Sequence, residues 1–318
     1  MTGVRTARQP RGLGLALRDP LAWDELAGVV REGERLGYAA VFLPEIFARD
    51  AFAALAALAG ETTEMLLGTG VVPMRSRTPL LTAMAAATVH ERSGGRLVLG
   101  IGTGSAGRGA LEELERTVAH VRALLRGEAV PRDGRTLRLA LPPGSEVPVW
   151  ISAMGPRAFE LGGRIADGVL LNWCTSERVA YARAAVAEGA RSAGRDLDEF
   201  TVAVYVRSWA GDDREAALTV TKAAAGEYAR YPAYARQFAQ LGVGAEAEAA
   251  ATAVAAGRPQ DVPDDLVHRF TAFGEGAQAR LAEYAAAGAD LVLAYPVAVG
   301  EPAPSILGTI RSLAPASG

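Results

Sequence analysis

Leu67-Gly68-Thr69-Gly70-Val71-Val72-Pro73-Met74-Arg75-Ser76-Arg77-Thr78-Pro79 runs from a charge-free apolar segment, through a glycine-containing turn, to a Thr-Pro pair that opens a helix ending at Ser93-Gly94-Gly95-Arg96. A second segment, Val149-Trp150-Ile151-Ser152-Ala153-Met154-Gly155-Pro156-Arg157, repeats the pattern of apolar strand, glycine turn and helix starting at a proline. Both expose bare backbone beside the free N–H groups of a helix start, which suits contact with a flat, phosphorylated ligand. Outward from these segments, short apolar strands alternate with longer helical stretches, the signature of βα units on a parallel sheet. Eight strands are expected, over 13–17, 39–43, 66–72, 97–101, 147–152, 168–172, 201–206 and 290–295. Most are continuous Val/Leu/Ile runs, as strands covered on both faces require. The expected fold is α/β, a (β/α)8 TIM barrel.

Helix boundaries carry their own signals. Asp19-Pro20 and Thr78-Pro79 each set a capping side chain before a proline, and Gly37, Gly94 and Gly194 stand where helices should stop. Between the seventh and eighth strands, residues 211–289 read as Ala-rich helices broken at Pro232, Gly242, Gly257 and Pro263: a helical insertion followed by the last barrel helices. Residues 1–11, basic and free of acids, are expected to be a flexible terminus, and 12–318 a single barrel domain.

The chain has 318 residues, 50% of them hydrophobic, enough for one large core. A formal charge of -3, with acids and bases interspersed, offers no surface for nucleic acid. One cysteine, Cys174, and three scattered histidines, His90, His120 and His268, provide neither a disulfide nor metal-ligand spacing. The Ala-rich runs are too short to span a bilayer, and Arg18 and Asp19 interrupt the first apolar stretch before a signal sequence can form. A reduced, metal-free, cytoplasmic protein acting on a small molecule, without nucleic acid or membrane partners, is expected.

In a barrel of this kind chemistry sits where strands end. Glu45, after Phe42-Leu43-Pro44, suits a proton donor or a hydrogen-bond partner to a ligand, with a loop carboxylate as the plainer alternative. Gly70 closes a β-branched run, which signals a bulge or a close backbone approach. Gly102, Gly104 and Gly107 satisfy G-x-G-x-x-G, but a dinucleotide fold also needs a buried strand ending in an acid about twenty residues on. Residues 126–134 are a Gly/Pro-punctuated turn instead. The start of the fifth helix, with Gly155, Pro156 and Arg157, would form an anion site. Arg75, Arg77, Tyr205, Arg207, Trp209 and Tyr295 are further rim candidates, whereas His90 reads as structural and Cys174 as a small buried thiol.

These segments resemble the luciferase-like (bacterial luciferase) superfamily of (β/α)8 barrels over nearly the whole chain from Leu13 to Leu313, with Leu161-Gly162-Gly163-Arg164-Ile165-Ala166-Asp167-Gly168 extending the match. The resemblance implies a non-prolyl cis peptide at Gly70-Val71 supporting a cofactor ring, with Thr69 beside it. It implies Thr103 and Gly104 along the ring and polyol edge, and Ala153, Met154, Gly155, Pro156 and Arg157 at the phosphate end. Phe42-Leu43-Pro44-Glu45 followed by Arg49-Asp50-Ala51-Phe52 is most similar to the deazaflavin branch near the methylenetetrahydromethanopterin reductases. Coenzyme F420 is therefore the implied cofactor, hydride transfer to or from a small organic substrate the implied reaction, and Glu45 the implied proton partner. FMN in a two-component monooxygenase is the alternative, and a cofactor-binding barrel without catalysis a third. Ser105 stands where some relatives carry a catalytic Glu, and the loop over 107–112 is short. Relatives also imply a homodimer. If the ring rests on the bulge, Gly70→Val should abolish cofactor binding with little loss of fold.

Overall fold

The computed structural model describes residues 11–15, 21–104 and 107–315. Eight parallel strands close into a barrel: β1 (Arg11–Gly14), β2 (Ala40–Leu43), β3 (Leu66–Thr69), β4 (Leu97–Gly102), β5 (Val149–Ser152), β6 (Gly168–Asn172), β7 (Thr201–Trp209) and β8 (Leu291–Pro296). Each pairs with the next, and β8 pairs with β1 to complete the ring. The first strand begins earlier than expected, because Arg11 is not part of a free terminus. Its backbone pairs with Val292 and its guanidinium donates to the Leu313 carbonyl at 2.6 Å. Ala16, Leu17, the Asp19-Pro20 helix start and Ser105 lie outside the described residues.

Two apolar shells follow from the period-two alternation of strand side chains. One set, including Phe42, Val98, Trp150, Leu170, Ala203, Tyr205 and Leu293, fills the barrel interior, where Phe42 and Trp150 stack at 5.2 Å. The other, including Val41, Leu67, Leu99, Ile151, Val169, Val204 and Val292, packs outward against the helices. Glycines make room inside: a Cβ on Gly68 would run into the Phe42 ring and one on Gly168 into Trp150.

The helical ring comprises α1 (Trp23–Arg35), α2 (Ala51–Leu58), α3 (Pro79–Arg92), α4 (Ala110–Leu125), α5 (Pro156–Ile165) and α6 (Ser176–Ser192). Thr78 caps α3 as expected, its hydroxyl accepting from the Leu81 N–H at 3.2 Å. Helix α1 starts at Trp23, with the Glu25 carboxylate accepting from the Ala22 N–H at 2.7 Å. The glycines at 162–163 have a structural reason: α5 and α6 touch backbone to backbone at Gly163 and Gly189. The stretch 126–134, expected as a turn, instead leads into an antiparallel hairpin, Val130–Arg132 with Arg135–Leu137, around Asp133-Gly134 at positive φ. Two positive φ values in a two-residue loop match a type I′ turn. This hairpin forms its own two-stranded sheet, so the dinucleotide fold is absent.

After β7 come α7 (Arg214–Ala229), α8 (Pro232–Gln240), α9 (Gly244–Ala255) and α10 (Asp264–His268), broken where the prolines and glycines predict. A short strand, Thr271–Phe273, pairs with the end of β7 at Arg207, Ser208 and Trp209, beyond the point where β6 stops. Helices α11 (Ala277–Ala286) and α12 (Pro302–Ser312) complete the ring. The insertion builds a second apolar core around Trp173, Phe238, Val267 and Phe270. No described helix is long and apolar enough to cross a membrane.

Candidate active site at the mouth of the barrel

The decisive local event is in β3. Gly68 is aligned with Val98 of β4, yet Val72 is aligned with Ile101, so β3 carries one extra residue between them. The resulting bulge contains Gly70-Val71, and their peptide bond is cis, as the resemblance implies. Thr69 repairs the interrupted ladder: its hydroxyl donates to the Gly100 carbonyl and accepts from the Gly100 N–H, both at 2.8 Å. Thr69 is fully buried, so its side chain belongs to the barrel wall and offers nothing to a ligand. Gly70 is pinned on both sides, its N–H donating to Leu43 O at 2.9 Å and its carbonyl accepting from the Tyr205 hydroxyl at 3.1 Å.

The bulge opens on a cavity of about 160 Å³ lined by Pro44, Glu45, Ile46, Gly70, Val71, Pro73, Asn172, Tyr205, Arg207, Tyr228, Tyr234 and Tyr295. Pockets that engulf a drug-sized ligand measure roughly 300–1,000 Å³, so this one has room for a compact group, and longer parts of a ligand must follow the open rim. Of the residues singled out from sequence, Glu45, Gly70, Val71, Tyr205, Arg207 and Tyr295 converge here. Thr103 and Gly104 lie on the rim next door, with Gly104 at φ 58° facing Pro73. Ala153 is buried in the wall. Met154, Gly155, Pro156 and Arg157 sit at the start of α5, outside the cavity lining; the Met154 carbonyl accepts from Arg178 at 2.8 Å. A Cβ on Gly155 would meet nothing within 4 Å, which leaves that helix start open. Arg157 is exposed and ion-paired with Glu112 at 3.0 Å.

Glu45 faces the cavity with both carboxylate oxygens held by Arg77, Nε to Oε1 and Nη2 to Oε2, each at 3.0 Å. Arg77 also pairs with Asp50 and lies over the Phe52 ring at 5.0 Å. The Glu45 carboxylate holds the guanidinium above its ordinary arginine range. This fork fixes the Glu45 carboxylate at the cavity wall.

Opposite stands a polar network that sequence did not assemble. Asn172, last residue of β6, donates from Nδ2 to the Tyr234 hydroxyl at 2.8 Å and accepts from Arg207 at Oδ1. Gln237 of α8 donates to the Asn172 and Trp173 carbonyls at 2.9 and 2.6 Å, fixing the insertion over the strand end. Trp173 turns at φ 49° and tucks its indole under the insertion. Burial pushes the Tyr205 and Tyr234 phenols above the usual tyrosine range, so both stay protonated as donors. Tyr228 and Tyr234 were missed. The signal available was Tyr228, Tyr231 and Tyr234 at three-residue spacing in an otherwise Ala-rich stretch. Cys174 is buried as expected, its thiol pushed up to about 12 by burial. His90 is likewise buried, and its Nε2 meets the Ser145 hydroxyl at 2.8 Å.

The model of the family described as luciferase-like monooxygenase matches residues 5–291. The chain belongs to that family. It is 32% identical over 209 residues to a 5,10-methylenetetrahydromethanopterin reductase of Methanolobus tindarius, covering 61% of this chain and 63% of the relative, which is less than two thirds of that protein. It is 30% identical over 239 residues to an F420-dependent glucose-6-phosphate dehydrogenase of Beutenbergia cavernae, covering 65% and 68%. The solved coenzyme F420 dependent tetrahydromethanopterin reductase of Methanopyrus kandleri superposes with a TM-score of 0.75 over 95% of this luciferase-like chain and 97% of that one, at 21% identity. At that identity the superposition establishes the (β/α)8 fold.

Proposed function

We propose that this protein is a coenzyme F420-dependent oxidoreductase that transfers hydride between the cofactor and a small organic substrate held in the barrel mouth. The observation that carries this reading is the Gly70-Val71 bulge, which turns bare backbone toward a cavity walled by Glu45 and four tyrosines. The names of the relatives at 30% identity and above agree with reductive or dehydrogenating chemistry. When bound, the deazaflavin supplies the carbon that gives or takes the hydride. The residues proposed to hold it are Gly70 and Val71 behind the ring, Thr103 and Gly104 at the rim, and the open start of α5 with Gly155, Pro156 and Arg157 for the phosphate. Glu45, kept oriented by Arg77, accepts a proton or hydrogen bond from the substrate. Tyr234, whose oxygen is already an acceptor for Asn172, directs its own proton elsewhere as a donor.

The second reading, an FMN-dependent monooxygenase, is favoured by the description of the matching family. Titration of the purified protein with coenzyme F420, FMN and NADPH separates the two. The F420 reading expects F420 to bind most tightly, and tighter binding of FMN would replace it with the monooxygenase.

A further inference from the structure

Arg207 is a buried cation that pairs with no carboxylate among the described residues. It sits on β7, 4% exposed, and lines the cavity. Its guanidinium lies over the rings of Trp173, Tyr295 and Tyr228, at 4.1, 4.6 and 5.4 Å from their centroids, and one amino group donates to Asn172. Three other arginines around the mouth are matched to carboxylates, Arg75 to Glu113, Arg77 to Glu45 and Asp50, and Arg157 to Glu112, while the buried Arg178 donates to the Met154 carbonyl and the Gln240 amide oxygen.

Desolvating a guanidinium is costly, and aromatic faces compensate only part of that cost. A fork of five donors also has more to give than one amide oxygen can accept. The Tyr234 hydroxyl, bonded to the same Asn172 side chain, adds a donor on the same side of the cavity. Apart from Asn172 and Glu45, whose carboxylate is engaged by Arg77, the rest of the lining is apolar or aromatic, from Pro44, Ile46, Val71 and Pro73 to Tyr228 and Tyr295. Such a site, two fixed donors beside aromatic rings in a small cavity, matches a small planar carboxylate.

We propose that Arg207, with Tyr234 beside it, is the anchor for a carboxylate on the substrate, so that the substrate class is a compact, unsaturated or aromatic carboxylic acid. This inference rests on the proposed oxidoreductase reading for calling the ligand a substrate, but the anion site itself does not depend on which cofactor binds.

Benzoate and its neutral isostere benzamide probe the site, with Trp173, stacked on Arg207, as a fluorescent reporter. Titrations are run with and without coenzyme F420. Benzoate is expected to change the emission saturably and to bind at least tenfold more tightly than benzamide. Arg207→Gln should abolish that preference, Arg207→Lys should restore part of it, and Tyr234→Phe should weaken benzoate several-fold, all with F420 affinity unchanged. Equal binding of benzoate and benzamide to the unsubstituted protein overturns the proposal without any variant having to fold. Loss of F420 binding in Arg207→Gln, with the fold intact by circular dichroism, also overturns it by assigning Arg207 to the cofactor. If benzoate discriminates as expected while F420 fails to bind, the anion site stands and the F420 reading falls.

Discussion

At the scale of single residues, the Glu45–Arg77 pair and Gly70 make the sharpest tests. The pair is mostly shielded, with side chains 16% and 12% exposed, so it is worth more than a surface ion pair. A double-mutant cycle of Glu45→Gln and Arg77→Met, followed by urea unfolding, is expected to show a coupling of about 1 kcal/mol or more. Additive effects would mean that the fork contributes nothing. Once a substrate is in hand, Glu45→Gln should lower turnover about 100-fold while leaving the F420 dissociation constant within a few-fold. Undiminished turnover would hand the proton to another group. Gly70 behaves differently from what its place in a glycine turn suggests. A Cβ there would collide with the Tyr205 hydroxyl and stand 3.2 Å from Phe42 Cβ, so even Gly70→Ala intrudes on the barrel interior. Gly70→Val cannot be silent for the fold. Gly70→Ala should cost about 1–3 kcal/mol, the usual effect of overpacking, and Tyr205→Phe in the same chain should recover part of it. No recovery would place the strain elsewhere.

At the scale of elements, Gln237 joins the Asn172–Tyr234 bond in holding the insertion to the barrel at the cavity's edge. Gln237, 3% exposed, serves two backbone carbonyls of β6's end from the middle of α8. Gln237→Leu keeps the volume but leaves both carbonyls without that donor, which should destabilise the protein by about 1–3 kcal/mol. It should also loosen Tyr234 over the cavity, raising the benzoate dissociation constant. A variant as stable as the parent, with unchanged benzoate affinity, would show that Gln237 does not hold the insertion. The helices of this insertion were legible because Pro232, Gly242, Gly257 and Pro263 break the chain by local rules. What they cover was not legible, since nothing in residues 214–240 records that Tyr228, Tyr234 and Gln237 return to β6 and β7. The bulge in β3 was legible as a glycine at a strand end. Its content, Thr69 spent on repairing the ladder and Gly70 wedged against Tyr205, depends on β4 and β7.

At the scale of the whole molecule, several phenols and the one thiol are withdrawn from water. Burial raises the folded pKa of Tyr38, Tyr205, Tyr234 and Tyr284 above the ordinary value of about 10 and pushes the Cys174 thiol up to about 12. Each of these groups loses its proton more readily in the unfolded chain. Their contribution to stability is therefore intact below the unfolded values, about 8.5 for the thiol and 10 for the phenols, and is lost as pH rises through the folded ones. Urea unfolding at a series of pH values should show stability falling steepest above about pH 10, with tyrosinate absorbance from the buried rings appearing only on unfolding. Stability that stays level to pH 11.5 would contradict this burial.

The sequence by itself determined the parallel barrel, the order of its strands, most helix starts and the bulge-bearing turn, because these follow from periodicity, proline and glycine acting over a few neighbouring residues. Only the tertiary structure decided which side chains meet. Arg77 reaches Glu45 across 32 residues, Asn172 reaches Tyr234 across 62, and Tyr205 reaches Gly70 across 135. It also decided which arginines meet carboxylates: Arg75, Arg77 and Arg157 do, while Arg207 lies among aromatic rings with no carboxylate partner among the described residues. Such pairings arise when the closed ring of strands brings distant ends to one mouth, and closure is a property of all eight strands together.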